Sequence, residues 1–294
     1  MIDRICTLLL AGFAAAVLAL PAQAARIGIL SNQNAAATAA DFTARLTGHT
    51  FTPVDVSTTA PTLPSLTDNF DAVLLFEDGL FANAPNVGNV VAKFAELRRP
   101  VILASFYEQD RTGTTALPAH GWGALETLDA NTSDGTGTAY AARTLNPASV
   151  VVHPLTYGVS TLTAHQFAGG NRAKPDTIVL ARWAEPNALG EPDPAIALRI
   201  TRKACVIHIA IAADYASYGT LGTLYTGDFY RLWQNAFDFA AASCVVRADQ
   251  PVDPIALPPN ARGPVAVPTL TEGAMVLLSL LLGATAFGAL RRRG

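Results

Sequence analysis

Short apolar runs alternate with longer amphipathic segments along the first half of the chain. The apolar runs are rich in Val, Ile, Leu and Phe, which is typical of buried strands. Between the runs, apolar residues recur every three or four positions, as on one face of a helix. The pattern predicts strands at 26–30, 51–57, 70–78 and 100–106. It predicts helices at 34–48 and 87–99.

Strands that alternate with helices at this spacing form right-handed βαβ units and a mostly parallel sheet. Such a sheet is covered by helices on both faces, which explains why its strands are continuously apolar. The first half therefore predicts an α/β domain with a flavodoxin-like, mostly parallel sheet.

The second half of the chain is less regular. It predicts strands at 148–153, 177–183, 195–201 and 204–213, with a Gly/Thr-rich loop at 131–140. Segment 227–244 predicts a closing helix with Asp228 as its N-cap. Its apolar stripe consists of Phe229, Leu232, Trp233, Ala236, Phe237 and Ala240.

The first 24 residues have the pattern of a secretory signal peptide. Arg4 supplies the positive charge, an apolar core follows, and Ala22 and Ala24 form the small-x-small cleavage site. The alternative is an uncleaved membrane anchor. A signal peptide and an uncleaved anchor both predict export of the protein. The α/β domain is predicted over 25–246.

A proline-rich segment follows the domain. Six prolines lie within 247–268, too many for a helix or a central strand. We therefore predict a stiff, extended linker over 247–266.

The last apolar segment, 273–290, contains no charged residue and is followed at once by three arginines. Eighteen residues are about 27 Å long as a helix, enough to cross the hydrocarbon core of a bilayer. The arginines would remain in the cytoplasm and leave the domain on the other side. The alternative is a buried core helix with a basic end.

The segment 267–294 resembles the IPTL-type C-terminal sorting signal of exosortase substrates in Gram-negative bacteria. The residues that carry the resemblance are Val267, Pro268, Thr269, Leu270, Glu272, Gly273, Arg291, Arg292 and Arg293. Valine replaces the usual isoleucine at 267, and the tryptophan expected between Glu272 and Gly273 is absent. The resemblance implies anchoring in the inner membrane, cleavage near 268–270 by an exosortase-type enzyme, and delivery to the cell surface or an extracellular matrix.

The body resembles the class I glutamine amidotransferase-like superfamily, including its trehalose-utilisation-like branch. The resemblance covers segment 26–30, segment 70–106 and the stretch 152–160. Catalytic members carry a nucleophilic cysteine on a glycine-flanked turn after a strand. The matching stretch 104–108 has neither cysteine nor glycine, so amidotransferase chemistry is not implied.

Candidate chemistry is sparse. Glu77 and Asp78 lie at the end of a predicted strand, where ligands of open α/β sheets bind, although a polar turn closed by Gly79 is the better explanation. Ser105 would need a histidine base such as His153, and no G-x-S-x-G motif frames it. Otherwise Ser105 is a small residue at a strand end, and His153 marks a turn before Pro154.

No motif predicts a metal site or a nucleotide cofactor. An aromatic stretch with Tyr215, Tyr218 and Tyr225 follows the strand that carries His208, and it predicts either a sugar-binding groove or an exposed loop. His208 itself lies in an apolar strand, where a core histidine is expected.

Charge and cysteine content narrow the class of protein. The chain has 20 basic and 23 acidic residues, of which four basic and two acidic residues lie in the terminal segments. The remaining 16 basic and 21 acidic residues argue against a nucleic-acid partner. After loss of Cys6 with the signal peptide, Cys205 and Cys244 remain, either as one disulfide or as two buried thiols.

The sequence therefore predicts an exported surface protein with a non-catalytic binding or structural domain, whose partners include an extracellular polysaccharide. The alternative is an envelope or extracellular hydrolase that acts on carbohydrate or amide substrates.

Overall fold

The computed structural model describes residues 24–76, 83–105, 107, 121–134, 141–214, 224–242 and 244. All of them belong to the first of two units into which the chain divides, Met1–Ala256 and Leu257–Gly294. The described strands are β1 (Ala25–Ser31), β2 (His49–Asp55), β3 (Ala72–Phe76), β4 (Val101–Ser105), β5 (Asn131–Ser133), β6 (Ala141–Thr144), β7 (Leu162–Ala168), β8 (Asn171–Ala173), β9 (Ile178–Pro186), β10 (Pro192–Ile200), β11 (Cys205–Ala212) and β12 (Tyr225–Gly227). The described α-helices are α1 (Ala35–Arg45), α2 (Leu63–Thr67), α3 (Ala84–Glu96) and α4 (Phe229–Ala242). Short 3-10 helices lie at Gly123–Thr127, Pro147–Ser149 and Pro154–Thr156.

Five parallel strands form the centre of the main sheet, in the order β2-β1-β3-β4-β11. The predicted mixed α/β domain with a mostly parallel central sheet is therefore confirmed.

Antiparallel strands extend this centre on the side of β11. β10 pairs with β11, and β9 pairs with β10. β7 pairs with β11 at Ala168 and Ile211. β7 also pairs with β6 and with β12. β5 and β8 form a separate two-stranded antiparallel sheet, here called the β5–β8 ribbon.

Helices cover both faces of the parallel centre. On one face, α1 and α4 pack through Phe42, Trp233 and Phe237, whose rings lie within about 6 Å of one another. On the other face, α3 buries Val87, Val91 and Phe94 against alternate residues of the strands. The fully buried strands β3, β4 and β11 follow from this two-sided cover.

α3 shows how local sequence sets the ends of an element. The Asn83 side chain accepts a hydrogen bond from the amide of Asn86 at 3.2 Å, and a proline occupies the first turn. Proline is tolerated there because its missing N–H would have no partner within the helix. The helix therefore begins three residues before the predicted segment 87–99.

The predicted strand at 148–153 is wrong. Residues 147–149 form a 3-10 helix, and His153 precedes another. Pro147 and Pro154 each open one of these turns, because their fixed φ suits a first helical position and they lack an amide hydrogen. In the apolar stretch between them, the Val151 amide donates a hydrogen bond to the Leu180 carbonyl of the sheet.

The second half contains strands that the pattern did not predict. The loop predicted at 131–140 begins instead with β5, while 135–140 lie outside the described residues. β6, β7, β8 and β12 were also not predicted. Three of these five strands have three residues and β6 has four, too few to show an alternating pattern.

Several predicted features lie outside the described residues: the signal peptide apart from Ala24, the linker 247–266, and the sorting segment 267–294 with its span 273–290. Among the helices that the structure describes, none has both the length and the apolar character needed to cross a membrane.

Candidate functional site

The carboxyl ends of the parallel strands form the edge at which open α/β sheets bind ligands. The last residues of β1, β3, β4 and β11 are Ser31, Phe76, Ser105 and Ala212. All four are buried. Glu77 and Asp78, the predicted residues at this edge, lie outside the described residues.

A hydrogen bond joins two of the strand exits. Asn34 follows β1 with a φ of 60°, a left-handed conformation that asparagine adopts more readily than most residues. Its Nδ2 donates to Oδ2 of Asp214, two residues beyond β11, at 3.3 Å. The Ser31 hydroxyl accepts from the amide of Gln33 at 3.3 Å and fixes the turn.

Ser105 ends β4 with no exposed surface. It pairs with Ala212 of β11, and the alternation of side chains places it on the same face as Leu103. Its position as a small buried residue at a strand end agrees with the structural interpretation of the sequence.

A buried polar cluster lies on that face beyond β4. Tyr107 donates its hydroxyl to Oδ2 of Asp129 at 2.9 Å, and its ring stacks on Trp122 with centroids 5.0 Å apart. Lys174 forms an ion pair with Asp129 and donates to the Glu126 carbonyl at 2.7 Å. We call Tyr107, Asp129 and Lys174 the Asp129 cluster.

The Asp129 cluster holds a carboxyl group with a displaced pKa. Burial raises the pKa of Asp129 to about 6, and attraction by Lys174 and hydrogen bonds from Lys174 and Tyr107 offset only part of this effect. Such a group exchanges a proton near neutral pH, a property shared by catalytic acids and by buried structural ion pairs.

His208 lies next to the Asp129 cluster. It has no exposed surface, and its ring meets the Tyr107 ring edge to face with centroids 6.0 Å apart. His208 is therefore a core histidine in an apolar strand, as the sequence suggests.

A second buried carboxyl group holds the start of β8. Asp193 accepts hydrogen bonds from the amides of Gly170 and Asn171 at 2.7 and 3.1 Å and pairs with Arg143. Burial raises the pKa of Asp193 to about 6 despite these partners. Gly169 has a φ of 76° and lies against the ion pair, so a side chain there would collide with Asp193.

His153 serves as a helix cap. Its Nδ1 accepts a hydrogen bond from the Leu155 amide at 3.1 Å, and its ring packs on Phe239 at 4.9 Å. Burial lowers the pKa of His153 to about 4, so the ring is neutral and able to accept at physiological pH.

The structure does not bring Ser105 and His153 together. α4 begins near the carboxyl edge, where Phe229 stacks on Tyr225 at 4.8 Å, and Tyr225 accepts a hydrogen bond from the Ala212 amide. Phe239, the partner of His153, lies ten residues further along α4, about 15 Å along the helix axis. His153 therefore lies towards the opposite end of the sheet from Ser105.

A disulfide joins Cys205 at the start of β11 to Cys244 after α4, with Cα atoms 5.6 Å apart. It ties the end of the closing helix to the amino end of the central sheet.

Tyr225 does not line an exposed groove, because its side chain is fully buried. Tyr215 and Tyr218 lie outside the described residues. Within the described part of the chain, no three His, Cys, Asp or Glu side chains come close enough to hold a metal ion.

Sequence reasoning missed the Asp129 cluster because its members are separated by 22 and 45 residues along the chain. The signal in the sequence is local, because Asp129 lies between two apolar residues, Leu128 and Ala130, that are both buried. A carboxylate at a core position is rarely unpaired, so it predicts a partner without naming one.

Comparison with known proteins identifies the C-terminal segment. Residues 265–293 match the family model described as the IPTL-CTERM motif. This confirms the predicted sorting signal and implies an exported, surface-sorted protein that is anchored in a membrane and processed by an exosortase. No curated protein matches the chain.

The body is similar to ThuA-like structures, as the predicted resemblance to the trehalose-utilisation-like branch suggests. One is from Parabacteroides merdae, with 10% identity over 79% of this chain and 94% of that chain and a TM-score of 0.48. Another is from Bacteroides uniformis, with 12% identity, 75% and 91% coverage and a TM-score of 0.46. Agd3, a carbohydrate deacetylase, has 11% identity, 66% and 30% coverage and a TM-score of 0.38. At these identities and TM-scores, the similarities indicate neither a substrate nor a reaction for this chain.

Proposed function

We propose that this protein is exported, held briefly in the inner membrane by 273–290, and released by an exosortase to the cell surface or extracellular matrix. The observation that carries this proposal is the match of residues 265–293 to the IPTL-CTERM motif. The apolar span followed by Arg291, Arg292 and Arg293 supports an orientation with the domain outside the cytoplasm, because arginines remain on the cytoplasmic side. The Cys205–Cys244 disulfide is compatible with an oxidising compartment.

The domain 25–246, with its flavodoxin-like strand order 2-1-3-4-5, serves in this proposal as a binding or structural module for extracellular polysaccharide. The polar groups at the carboxyl edge support a non-catalytic role. Asn34 bonds Asp214, and Tyr107 and Lys174 both bond Asp129, so these side chains hold the fold together.

The test compares the full chain with a variant that lacks 265–293 in a Gram-negative host that carries an exosortase. We expect the full chain in the surface and matrix fractions and the truncated chain in the periplasm. Exchange of Arg262 in the linker for alanine provides a control that leaves the sorting segment unchanged. Equal distribution of the full and truncated chains would contradict the proposal.

A hydrolase that acts on carbohydrate or amide substrates is the second candidate. The raised pKa of Asp129, close to the exit of β4, favours it. In that case the purified protein should release reducing ends, acetate or ammonia from host matrix polysaccharide, and Asp129→Asn should abolish the release. Binding of the polysaccharide without any release would favour the module.

A further inference from the structure

Two buried carboxamides on the β5–β8 ribbon have no hydrogen-bond partner among the described residues. Asn131 is 1% exposed and Asn171 is completely buried. Neither Oδ1 nor Nδ2 of either side chain has a partner in the part of the chain that the structure describes. Four polar atoms are thus unsatisfied within one small element.

The register of the ribbon places both side chains on one face. Asn131 lies opposite Ala173 and Asn171 lies opposite Ser133, so the two asparagines are diagonal neighbours. Thr132 and Arg172 occupy the other, exposed face. Diagonal neighbours in an antiparallel pair are about 7–8 Å apart, a separation that a single bridging oxygen spans.

The neighbouring polar groups are already used by the backbone. Asp193 accepts from the Gly170 and Asn171 amides, and the Asn187 Nδ2 donates to the Asn171 carbonyl at 3.0 Å. The Asn187 Oδ1 accepts from two further amides in the turn before β10. These bonds hold Asn171 in place while its own side chain stays without a partner.

A buried amide without a partner loses the hydrogen bonds that it makes with water in the unfolded chain. Four such atoms on adjacent strands would be a large uncompensated cost in a protein interior. A polar site of this kind is normally filled by a small hydrogen-bonding molecule with two to four polar partners.

The chemistry of two carboxamides defines what fits. Each offers one acceptor and one NH₂ donor. A cation would use both acceptors and leave both donors unpaired, and the nearby Asp193 is already paired with Arg143. An anion would leave both acceptors unpaired. A water molecule, which donates twice and accepts twice, satisfies all four atoms.

We propose that Asn131 and Asn171 together bind one internal water molecule, which donates to the two Oδ1 atoms and accepts from the two Nδ2 groups. This site ties the two strands of the ribbon together on their buried face. It is independent of the sorting proposal, since it would be present in a chain that was never delivered to the surface.

The test is a set of thermal unfolding measurements on the full-length protein in detergent. Asn131→Leu and Asn171→Leu keep the shape of the side chain and remove both polar atoms. If the water molecule is bound, each single change leaves the other carboxamide without this arrangement of hydrogen bonds and lowers Tm by about 2–6 °C. The double change removes the whole site, so its loss should be clearly smaller than the sum of the two single losses.

Thr132→Val on the exposed face of the same strand is the matched control and should leave Tm unchanged. If either single leucine raises Tm, the carboxamides are truly unpaired and the proposal is overturned. Strictly additive losses would also overturn it, because they exclude a shared ligand.

Discussion

Lys174 and Asp129 form a partly buried ion pair that joins the residue after β8 to the residue two before β5. At the other end of the same ribbon, Asp193 holds the start of β8 through two backbone amides. The β5–β8 ribbon is thus fastened at both ends by buried carboxyl groups, although it consists of two strands of three residues each.

The contribution of Asp129 to stability should fall as pH rises from 4 to 7, opposite in sign to that of His153. In the folded protein the pKa of Asp129 is about 6, above its ordinary value of 3.8, so the folded state binds the proton more tightly. The stabilisation is complete below pH 4 and is lost as pH rises through 6. A shift of this size corresponds to about 3 kcal/mol.

Urea denaturation at pH 4, 5, 6 and 7 measures this effect. Asp129→Asn should remove this contribution and leave those of Asp193 and His153, whereas Asp176→Asn on the surface should not change the pH dependence. An unchanged slope in Asp129→Asn would show that Asp129 is not the titrating group.

Removal of the Cys205–Cys244 disulfide should destabilise the domain by about 3–4 kcal/mol, because the unfolded chain would no longer be constrained across 39 residues. For a domain of this size the loss lowers Tm by about 10 °C. Cys205→Ser with Cys244→Ser should show this drop and no further response to reductant. The Tm of the wild type should drop by the same amount when reductant is added. A wild-type Tm that reductant does not change would contradict the prediction.

Alanine at Gly169 should be more harmful than alanine at Gly190. Both glycines have a φ near 77°, so both substitutions strain the backbone equally. A side chain at Gly169 would also collide with the Asp193–Arg143 pair, whereas Gly190 has open space around it. We expect Gly169→Ala to lower the free energy of unfolding by at least about 2 kcal/mol more than Gly190→Ala. Equal losses in the two variants would contradict this account of the ion pair.

Asp228 should anchor the start of α4. Its Oδ2 accepts hydrogen bonds from the amides of Ser160 and Thr161, both at 2.8 Å. Partial burial acts to raise the pKa of Asp228, but these bonds outweigh it and the pKa lies below its ordinary value.

Asp228→Ala should therefore cost about 1–2 kcal/mol of stability at pH 7 and less at pH 3, where the wild-type carboxylate is increasingly protonated. Asp176→Asn, at an exposed acid, is the control. A loss that does not change with pH would exclude the charged hydrogen bonds as its cause.

The sequence predicted the elements whose pattern is long enough to repeat. The stripe of α4, from Phe229 to Ala240, is buried as predicted, and α1 buries Ala39 and Phe42. Asp228 does precede α4, but its carboxylate binds the Ser160 and Thr161 amides in the neighbouring loop. A pattern within the helix does not contain information about that loop.

The candidate site was less predictable than the fold. Ser105 could be placed at a strand end from its neighbours, yet the separation of Ser105 from His153 depends on how α4 crosses the sheet. Asp129 and Lys174 meet only because β5 pairs with β8, and three-residue strands give no register signal.

The mass of the mature protein tests the central claim most directly. The full-length gene is expressed in an exosortase-positive Gram-negative host and in the same host without the exosortase, and the purified products are weighed by intact mass spectrometry. The account predicts a product that begins near residue 25 in both hosts, lacks 273–290 when the enzyme is present and keeps it when the enzyme is absent. A product that retains 273–290 in both hosts would contradict it.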